Sequence, residues 1–415
     1  MKMNKMVISL FTAGLMASPL ANATNGYFSH GYGMKAKGMA GVGIALPQDS
    51  IAAATNPAGM VLMGDRADVG LDLFKPSRGA EVAGAGGLPN GFYDGNGKSN
   101  FFIPEFGYNK MLDPGMSLGV SVYGNGGMNT DYKTSPFGPN AGINLEQLFI
   151  APTWAMKVNP AHSVGVAINL VYQTFSATGL AAFGNCTGCF NLSSNPAALT
   201  DNGKDSSTGV GLRLGWTGEL TPMLTMGATY QPKTKMSKFS KYAGLFAEQG
   251  GFDIPATYGV GLAVKASPET TIALDYQAIQ YGGVPSVANT LSAGGPLGAD
   301  NGMGFGWTDV KVLKLGISQV MSDSLTVRGG YSHNSQPIPF SQTLFNILAP
   351  GVIQNHLTLG ATWNLSKENE LTVAYMHAFN RKVNGSGSIP PSFGGGEVNI
   401  KMYENSIGVA YSWKM

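Results

Sequence analysis

The connections between candidate strands alternate between very short and long, and this constrains the fold more than any other feature. Short turns built from Pro, Gly, Asn, Asp or Ser, which favour hairpins, lie at 113–115, 159–162, 221–222, 267–269, 322–323 and 366–369. Long polar loops lie at roughly 76–100, 126–144, 177–206, 236–251, 282–306, 335–351 and 383–399. Six short and seven long connections join fourteen strands. An even strand count allows a closed antiparallel barrel with both chain ends on one side.

The candidate strands alternate between apolar and small or polar side chains with a period of two residues. In the last strand, Ile407 and Val409 share one face, whereas Glu404 and Ala410 share the other. An apolar outside and a small or polar inside are typical of an outer-membrane barrel. A soluble β-sandwich or propeller is the alternative, but it explains neither the alternating loop lengths nor the repeated apolar face.

The composition supports a membrane barrel and excludes one class of partner. Charged residues make up 12% of the chain, about half of the ~25% found in ordinary soluble domains. The net charge is +2, and the chain has no basic run to neutralise phosphates. We therefore expect no nucleic-acid partner.

The first 23 residues have the pattern of a signal peptide. Lys2 and Lys5 precede an apolar stretch at 7–20, and Ala21-Asn22-Ala23 is a cleavage signal. The apolar stretch is shorter than the ~20 residues of a membrane-spanning helix. Export is therefore predicted, with residues 1–23 removed; a short N-terminal anchor helix is the alternative.

The two cysteines are close together, at Cys186 and Cys189. In an exported protein this spacing favours a disulfide that closes a small loop. A structural zinc site would need two more ligands, and no His or further Cys lies nearby. No metal and no cofactor are predicted.

Residues 24–64 do not alternate as strands do. They are rich in Gly and Ala, contain Asp49, and end in Asn56-Pro57-Ala58-Gly59. The stretch 38–43, Gly-Met-Ala-Gly-Val-Gly, is a weak candidate for a nucleotide loop because no strand precedes it. With an export signal before it and fourteen strands after it, this block resembles the FadL/TodX family of outer-membrane transporters for hydrophobic compounds.

The resemblance implies an organisation and a mode of transport. Residues 24–64 would fold into the lumen as a hatch with Asn56, Pro57 and Ala58 at its turn, and residues 65–415 would form the barrel. The family captures its cargo in outer loops, binds it in an apolar pocket, and releases it sideways through a gap at a kinked third strand. Long-chain fatty acids are the cargo that we expect first, and monoaromatic hydrocarbons are the rival.

Three groups of residues are candidates for these steps. At the end of the third strand, Gly124-Asn125-Gly126-Gly127 favours a bulge or bend and a lateral gap; the start of an outer loop is the alternative. Phe239, Leu245 and Phe246 form an apolar loop cluster that binds cargo or packs upon itself. The alternation turns Arg213, Lys314 and Arg328 into the lumen, where they would bind a carboxylate ligand or pair with inward Asp275 and Glu404.

The sequence therefore predicts a transporter in the outer membrane of a Gram-negative bacterium, with a fatty acid or other hydrophobic ligand and outer-membrane lipid as its partners. The five histidines are scattered and form no Ser/His/Asp constellation, so an outer-membrane hydrolase is a weak alternative and no enzyme is predicted. A general porin or an adhesin is the other alternative. Porins lack an N-terminal plug, so the block at 24–64 argues against them.

Overall fold

The computed structural model describes residues 24–185 and 189–415. The predicted signal peptide, 1–23, lies outside the described residues. Within them, no helix has both the length and the apolar character needed to cross a membrane.

Seventeen strands are present in the described residues. Their bounds are β1 (Arg66–Ala83), β2 (Gly91–Asp94), β3 (Phe101–Asp113), β4 (Met116–Asp131), β5 (Thr134–Ser135), β6 (Gly138–Pro139), β7 (Gly142–Asn159), β8 (His162–Thr178), β9 (Asp205–Thr221), β10 (Leu224–Gln231), β11 (Thr257–Lys265), β12 (Thr270–Ile279), β13 (Val310–Ser322), β14 (Leu325–Asn334), β15 (Asn355–Asn364), β16 (Asn369–Val383) and β17 (Glu397–Lys414).

Fourteen of these strands form one closed antiparallel barrel, as predicted. Each pairs with the next, and β17 returns to pair with β1 from Arg66 opposite Lys414 to Ala83 opposite Glu397. The short strand β2 extends the sheet beside β1, and β5 and β6 form a separate hairpin. Because the first and last wall strands pair, the sheet closes on itself and neither of these two strands is left as a free edge.

Two wall strands extend further than the sequence suggested. Loops were expected to begin at residues 76 and 126, but β1 continues to Ala83 and β4 continues to Asp131. The turn-forming residues there, including Pro76 and Gly127, are held by partners on β17 and β7. Pairing with a neighbouring strand therefore outweighs local preference at these positions.

The two faces of the wall differ as predicted. Leu212 and Leu214 are 45% and 44% exposed, whereas Arg213 between them is 2% exposed. Ile407 and Val409 also lie outside, and Glu404 and Ala410 are buried inside. The exposed apolar face is the surface that lipid covers in a membrane barrel.

Short helices and helical turns lie in the segment before β1 and in the long loops. They are Met34–Lys37, Ala52–Ala54, Pro57–Leu62, Ala181–Phe183, Pro196–Ala198, Ser240–Tyr242, Ala247–Gly250, Tyr281–Gly283, Pro285–Ala288, Phe340–Gln342, Phe345–Ile347 and Pro391–Phe393.

Residues 24–64 lie inside the barrel, and we call them the N-terminal segment. The helix at 34–37 contacts β15, β16 and β17, whereas the helical turn at 57–62 contacts β4, β7, β8 and β9. The segment therefore reaches opposite sides of the inner wall, and most of its residues are buried.

Candidate functional site

A pair of glycines on the wall receives the turn at Asn56, Pro57 and Ala58. Gly165 of β8 and Gly215 of β9 lie directly opposite each other, and a Cβ atom on either would collide with this turn. Asn56 donates its side-chain N–H to the carbonyls of Ile44 (2.7 Å) and Trp216 (2.9 Å) and accepts from the Ala58 amide. The missing side chains thus let the turn bind directly to the wall.

Buried ion pairs bind the helix at 34–37. The Lys35 ammonium lies 2.5 Å from a Glu370 carboxylate oxygen, and the Lys37 ammonium lies 2.7 Å from Asp72. All four side chains are largely buried. Removing one partner of such a pair leaves an uncompensated buried charge, so both pairs hold the segment in place.

The three predicted luminal cations also contact the N-terminal segment. The Lys314 ammonium donates to the carbonyls of His30 and Gly41. Arg328 donates to the Gln48 side chain, and Arg213 donates to the Thr55 carbonyl and to Gln231 of β10. None of the three is among the residues that line the apolar cavity described next. Their predicted role as carboxylate ligands stays a prediction.

Asp275 and Glu404 were the predicted alternative partners of these cations, and their surroundings differ. Asp275 accepts hydrogen bonds from the amides of Gly43 and Ile44 in the N-terminal segment. Glu404 is fully buried, and neither of its carboxyl oxygens has a hydrogen-bond partner among the described residues.

Asp49 is a buried carboxyl group of the N-terminal segment whose pKa is displaced. Burial, reinforced by the charge of Asp68, raises the pKa of Asp49 to about 6. Its carboxylate accepts a hydrogen bond from the Ile51 amide, which partly opposes that rise. We therefore expect the stability of this part of the segment to depend on pH near 6.

A small apolar cavity of about 30 Å³ lies among the outer loops, above the N-terminal segment. Of the predicted loop cluster, Leu245 and Phe246 line it, whereas Phe239 packs behind them against Phe175 and Phe246. Its lining residues are Ile143, Phe175, Phe183, Leu245, Phe246, Ser286, Leu297, Met303, Gly304, Phe305, Phe345 and Leu348. No charged side chain belongs to this set. A small, mostly apolar, aromatic-lined cavity is suited to a hydrophobic molecule.

The cavity contains residues that sequence reasoning missed. Phe175 occupies an inward position of β8, and a large apolar side chain on an otherwise small and polar face was a signal for it. Phe183, Phe345 and Leu348 come from loops that fold into the mouth of the barrel. No sequence periodicity indicates where such loop residues meet.

The wall has an irregularity at the four residues predicted for a lateral gap. The register between β4 and β7 shifts between Gly124 and Gly126, so Asn125 is an extra residue. Among the described residues, the ladder between β3 and β4 ends where Phe106 pairs with Val122. Beyond that point β4 pairs with β7, and residues 101–105 of β3 pair with β1.

The N-terminal segment covers this part of β4 from inside. The Ser29 amide donates to the Asn125 carbonyl, and the Gly127 amide donates to the Tyr27 carbonyl. The Tyr32 hydroxyl also donates to Asn125. The segment is therefore hydrogen-bonded at the point where β3 and β4 separate. The exit of cargo at this point stays a prediction.

The structure does not describe the predicted disulfide between Cys186 and Cys189. Cys186 lies outside the described residues, and no free cysteine is found within them.

A closed fourteen-strand barrel with an apolar outer face, a filled lumen and an apolar cavity near its mouth defines an outer-membrane transport protein. The chain belongs to the family described as outer membrane protein transport protein (OMPP1/FadL/TodX), whose model matches residues 16–412. It is therefore a transporter of hydrophobic compounds in the outer membrane, and the family consists of transport channels and not of enzymes.

Solved structures share the fold over nearly the whole chain. The toluene transporter TodX of P. putida is 17% identical with a TM-score of 0.69, covering 93% of this chain and 99% of that chain. A Pseudomonas aeruginosa FadL homologue is 16% identical with a TM-score of 0.71, covering 94% and 99%. The Ralstonia pickettii toluene transporter TbuX is 19% identical with a TM-score of 0.64, covering 93% and 99%. No curated protein matches the chain.

Proposed function

We propose that this transporter takes up small, uncharged, predominantly aromatic molecules through the apolar cavity. The observation that carries this proposal is the lining of the cavity, in which aromatic and aliphatic side chains predominate and none is charged. Ser286 contributes a hydroxyl, but that group already donates to the Gly251 carbonyl at 2.5 Å. A carboxylate placed there would lose its hydration without gaining an ionic partner.

Similar folds with known cargo support the same class. TodX and TbuX are toluene transporters by description, and their folds match this chain over 93% of its length. At such low identity the likeness supports the fold, and the cavity lining supports the choice of cargo.

A long-chain fatty acid is the second candidate, because one of the three luminal cations, Arg213, retains an unused hydrogen-bond donor. The Nε atom of Arg213 is buried and has no hydrogen-bond partner among the described residues. An acid whose tail occupied the apolar cavity and whose head reached deeper into the lumen would find a donor there. This candidate requires the N-terminal segment to yield, since Arg213 contacts Thr55 within it.

The proposed route has three stages. Cargo enters from the outer loops, rests in the apolar cavity, and leaves sideways between β3 and β4. Phe101 and Ile103 of β3 are buried on the inner side of this exit and pack with Phe74. They offer apolar surface along the exit, which keeps cargo out of water during transfer to the membrane.

Uptake by cells that lack their own homologous transporter tests the cargo. Cells producing the wild type are given radiolabelled toluene or radiolabelled oleate. Phe246→Asp places a charge in the cavity, and Phe340→Asp, at an exposed loop phenylalanine, is the matched control. We expect toluene uptake to fall severalfold with Phe246→Asp only. Oleate uptake without toluene uptake would refute the aromatic cargo, and equal effects of both variants would refute the assignment of the cavity.

A further inference from the structure

A second depression lies on the outer surface beside the apolar cavity. It has a volume of about 310 Å³ and lies between residues 191–192 and residues 291–303. We call it the outer groove; it is lined by Asn191, Leu192, Leu291, Ser292, Gly294, Gly295, Pro296 and Met303. It is more open and more polar than the inner cavity, as an entrance would be.

Met303 is the residue that lines both spaces. Beside it, the partition is one chain segment thick, because Pro296 lines the outer groove and its neighbour Leu297 lines the inner cavity.

The rest of the partition is fixed by hydrogen bonds. The Leu297 amide donates to the Leu192 carbonyl at 2.8 Å, and the Ser194 amide donates to the Leu297 carbonyl at 2.9 Å. The backbone next to Met303 is also anchored, since the Asn289 side chain donates to the Gly302 carbonyl at 2.7 Å. The unbranched Met303 side chain, which has three rotatable bonds, can change shape without breaking any of these hydrogen bonds.

We propose that Met303 is the gate between the outer groove and the inner cavity, and that rotation of its thioether admits cargo. This inference rests on the proposed function, because it assumes that the inner cavity holds cargo. A flexible, polarizable side chain permits flat aromatic molecules to pass while keeping the cavity closed to water between passages. A gate determines how fast cargo enters and leaves, whereas a binding residue determines how tightly cargo is held.

Binding kinetics of the purified full-length protein test the gate. Stopped-flow fluorescence with a small fluorescent aromatic probe gives the association and dissociation rates separately. With Met303→Ala, we expect both rates to rise about tenfold while the equilibrium constant changes by less than about threefold. With Met303→Trp, we expect both rates to fall. Met321→Ala and Met321→Trp, at an exposed methionine far along β13, are the matched controls.

The possible outcomes distinguish a failure of the gate from a failure of the proposed function. Unchanged rates in both Met303 variants, with the probe still bound, would overturn the gate and leave the inner cavity as a cargo site. A change confined to dissociation would make Met303 a binding residue and would also overturn the gate. No binding of the probe to the wild type would contradict the proposed function itself.

A trapping experiment provides a second, independent measurement. Met303→Cys is loaded with the probe and then labelled with a bulky thiol reagent that a reductant can remove. We expect the label to retain the probe and the reductant to release it. Free escape of the probe from fully labelled protein would refute the gate, even if the Met303→Trp variant failed to fold.

Discussion

Glycines determine where the N-terminal segment meets the wall. Gly165 and Gly215 are cross-strand partners, and the space above them is filled by Asn56 and Pro57. The sequence places small residues on this face but does not identify the two that receive the turn. Their role follows from their being neighbours on different strands, which becomes visible only once the register is known.

Gly215→Ala should displace the turn at Asn56, because the new Cβ atom collides with the Asn56 side chain and the Pro57 ring. Overpacking of this kind costs about 1–3 kcal/mol. Hydrogen–deuterium exchange should show lost protection at residues 52–62. Gly329→Ala is the control, because its Cβ would meet no atom closer than 3.8 Å. Equal protection in the two variants would contradict this account of the turn.

Asp49 should make the stability of the N-terminal segment depend on pH. Its pKa in the folded protein, about 6, lies above the ordinary value of 3.8. The folded state therefore binds the proton more tightly, and this stabilisation is present at low pH and is lost as the pH rises through about 6. We expect the melting temperature to be higher at about pH 5 than at about pH 7.5.

The Asp49→Asn variant separates this effect from other titrations. Its amide cannot ionise, so the difference in melting temperature between the two pH values should shrink relative to the wild type. A difference of the same size in the variant would assign the pH dependence to other groups.

At the scale of elements, β4 departs most from a regular strand. The extra residue Asn125 interrupts its pairing with β7, and the strand leaves β3 just before this bulge. A bulge bends its strand and increases the local twist. We therefore expect the separation of β3 and β4 to depend on this one inserted residue.

Deletion of Asn125 should restore a continuous register between β4 and β7 and draw β4 towards β3. If cargo leaves between these strands, uptake should fall about tenfold or more as the bulge disappears, while cavity binding persists. Asn125→Ala is the control, since it keeps the backbone bulge but removes the hydrogen bond to Gln147. Unchanged uptake after deletion would rule out this exit.

How much of the structure could be predicted from the sequence depends on the kind of element. The strands were predictable because successive side chains of a strand face lipid and lumen in turn. This alternation gives the apolar pattern a period of two residues. The loops carry no such period. Leu245 and Phe246 were recognised as an apolar cluster, but they line one cavity with Phe345, about a hundred residues away along the chain, only because several loops fold together.

The inward direction of Arg213, Lys314 and Arg328 was also predictable, whereas their partners were not. Alternation gives the face on which a side chain lies, and it gives no information about what fills the lumen. Here the lumen is filled by residues of the same chain, and these cations donate to the carbonyls and side chains of that segment.

At the scale of the whole molecule, the outer band of apolar side chains determines stability in the membrane. Leu212, near the middle of β9, should tolerate arginine poorly, at a cost of about 2–4 kcal/mol, whereas Leu220, next to the end of that strand, should lose about 0–1 kcal/mol. Urea titrations of protein folded into lipid vesicles measure both. Similar losses at the two sites would show that the band does not lie where β9 places it.

The pairing of β1 with β17 also dictates an order of assembly. Arg66 and Lys414 are neighbours in space but stand near opposite ends of the chain, so this ladder closes a very long loop and forms slowly. The N-terminal segment adjoins β1, and its contacts run from β4 round to β17. We expect it to be inside before that last seam joins, since a wall that is still open admits folded chain from the side. In this order of assembly, the final strands form against a segment that already lies inside the barrel.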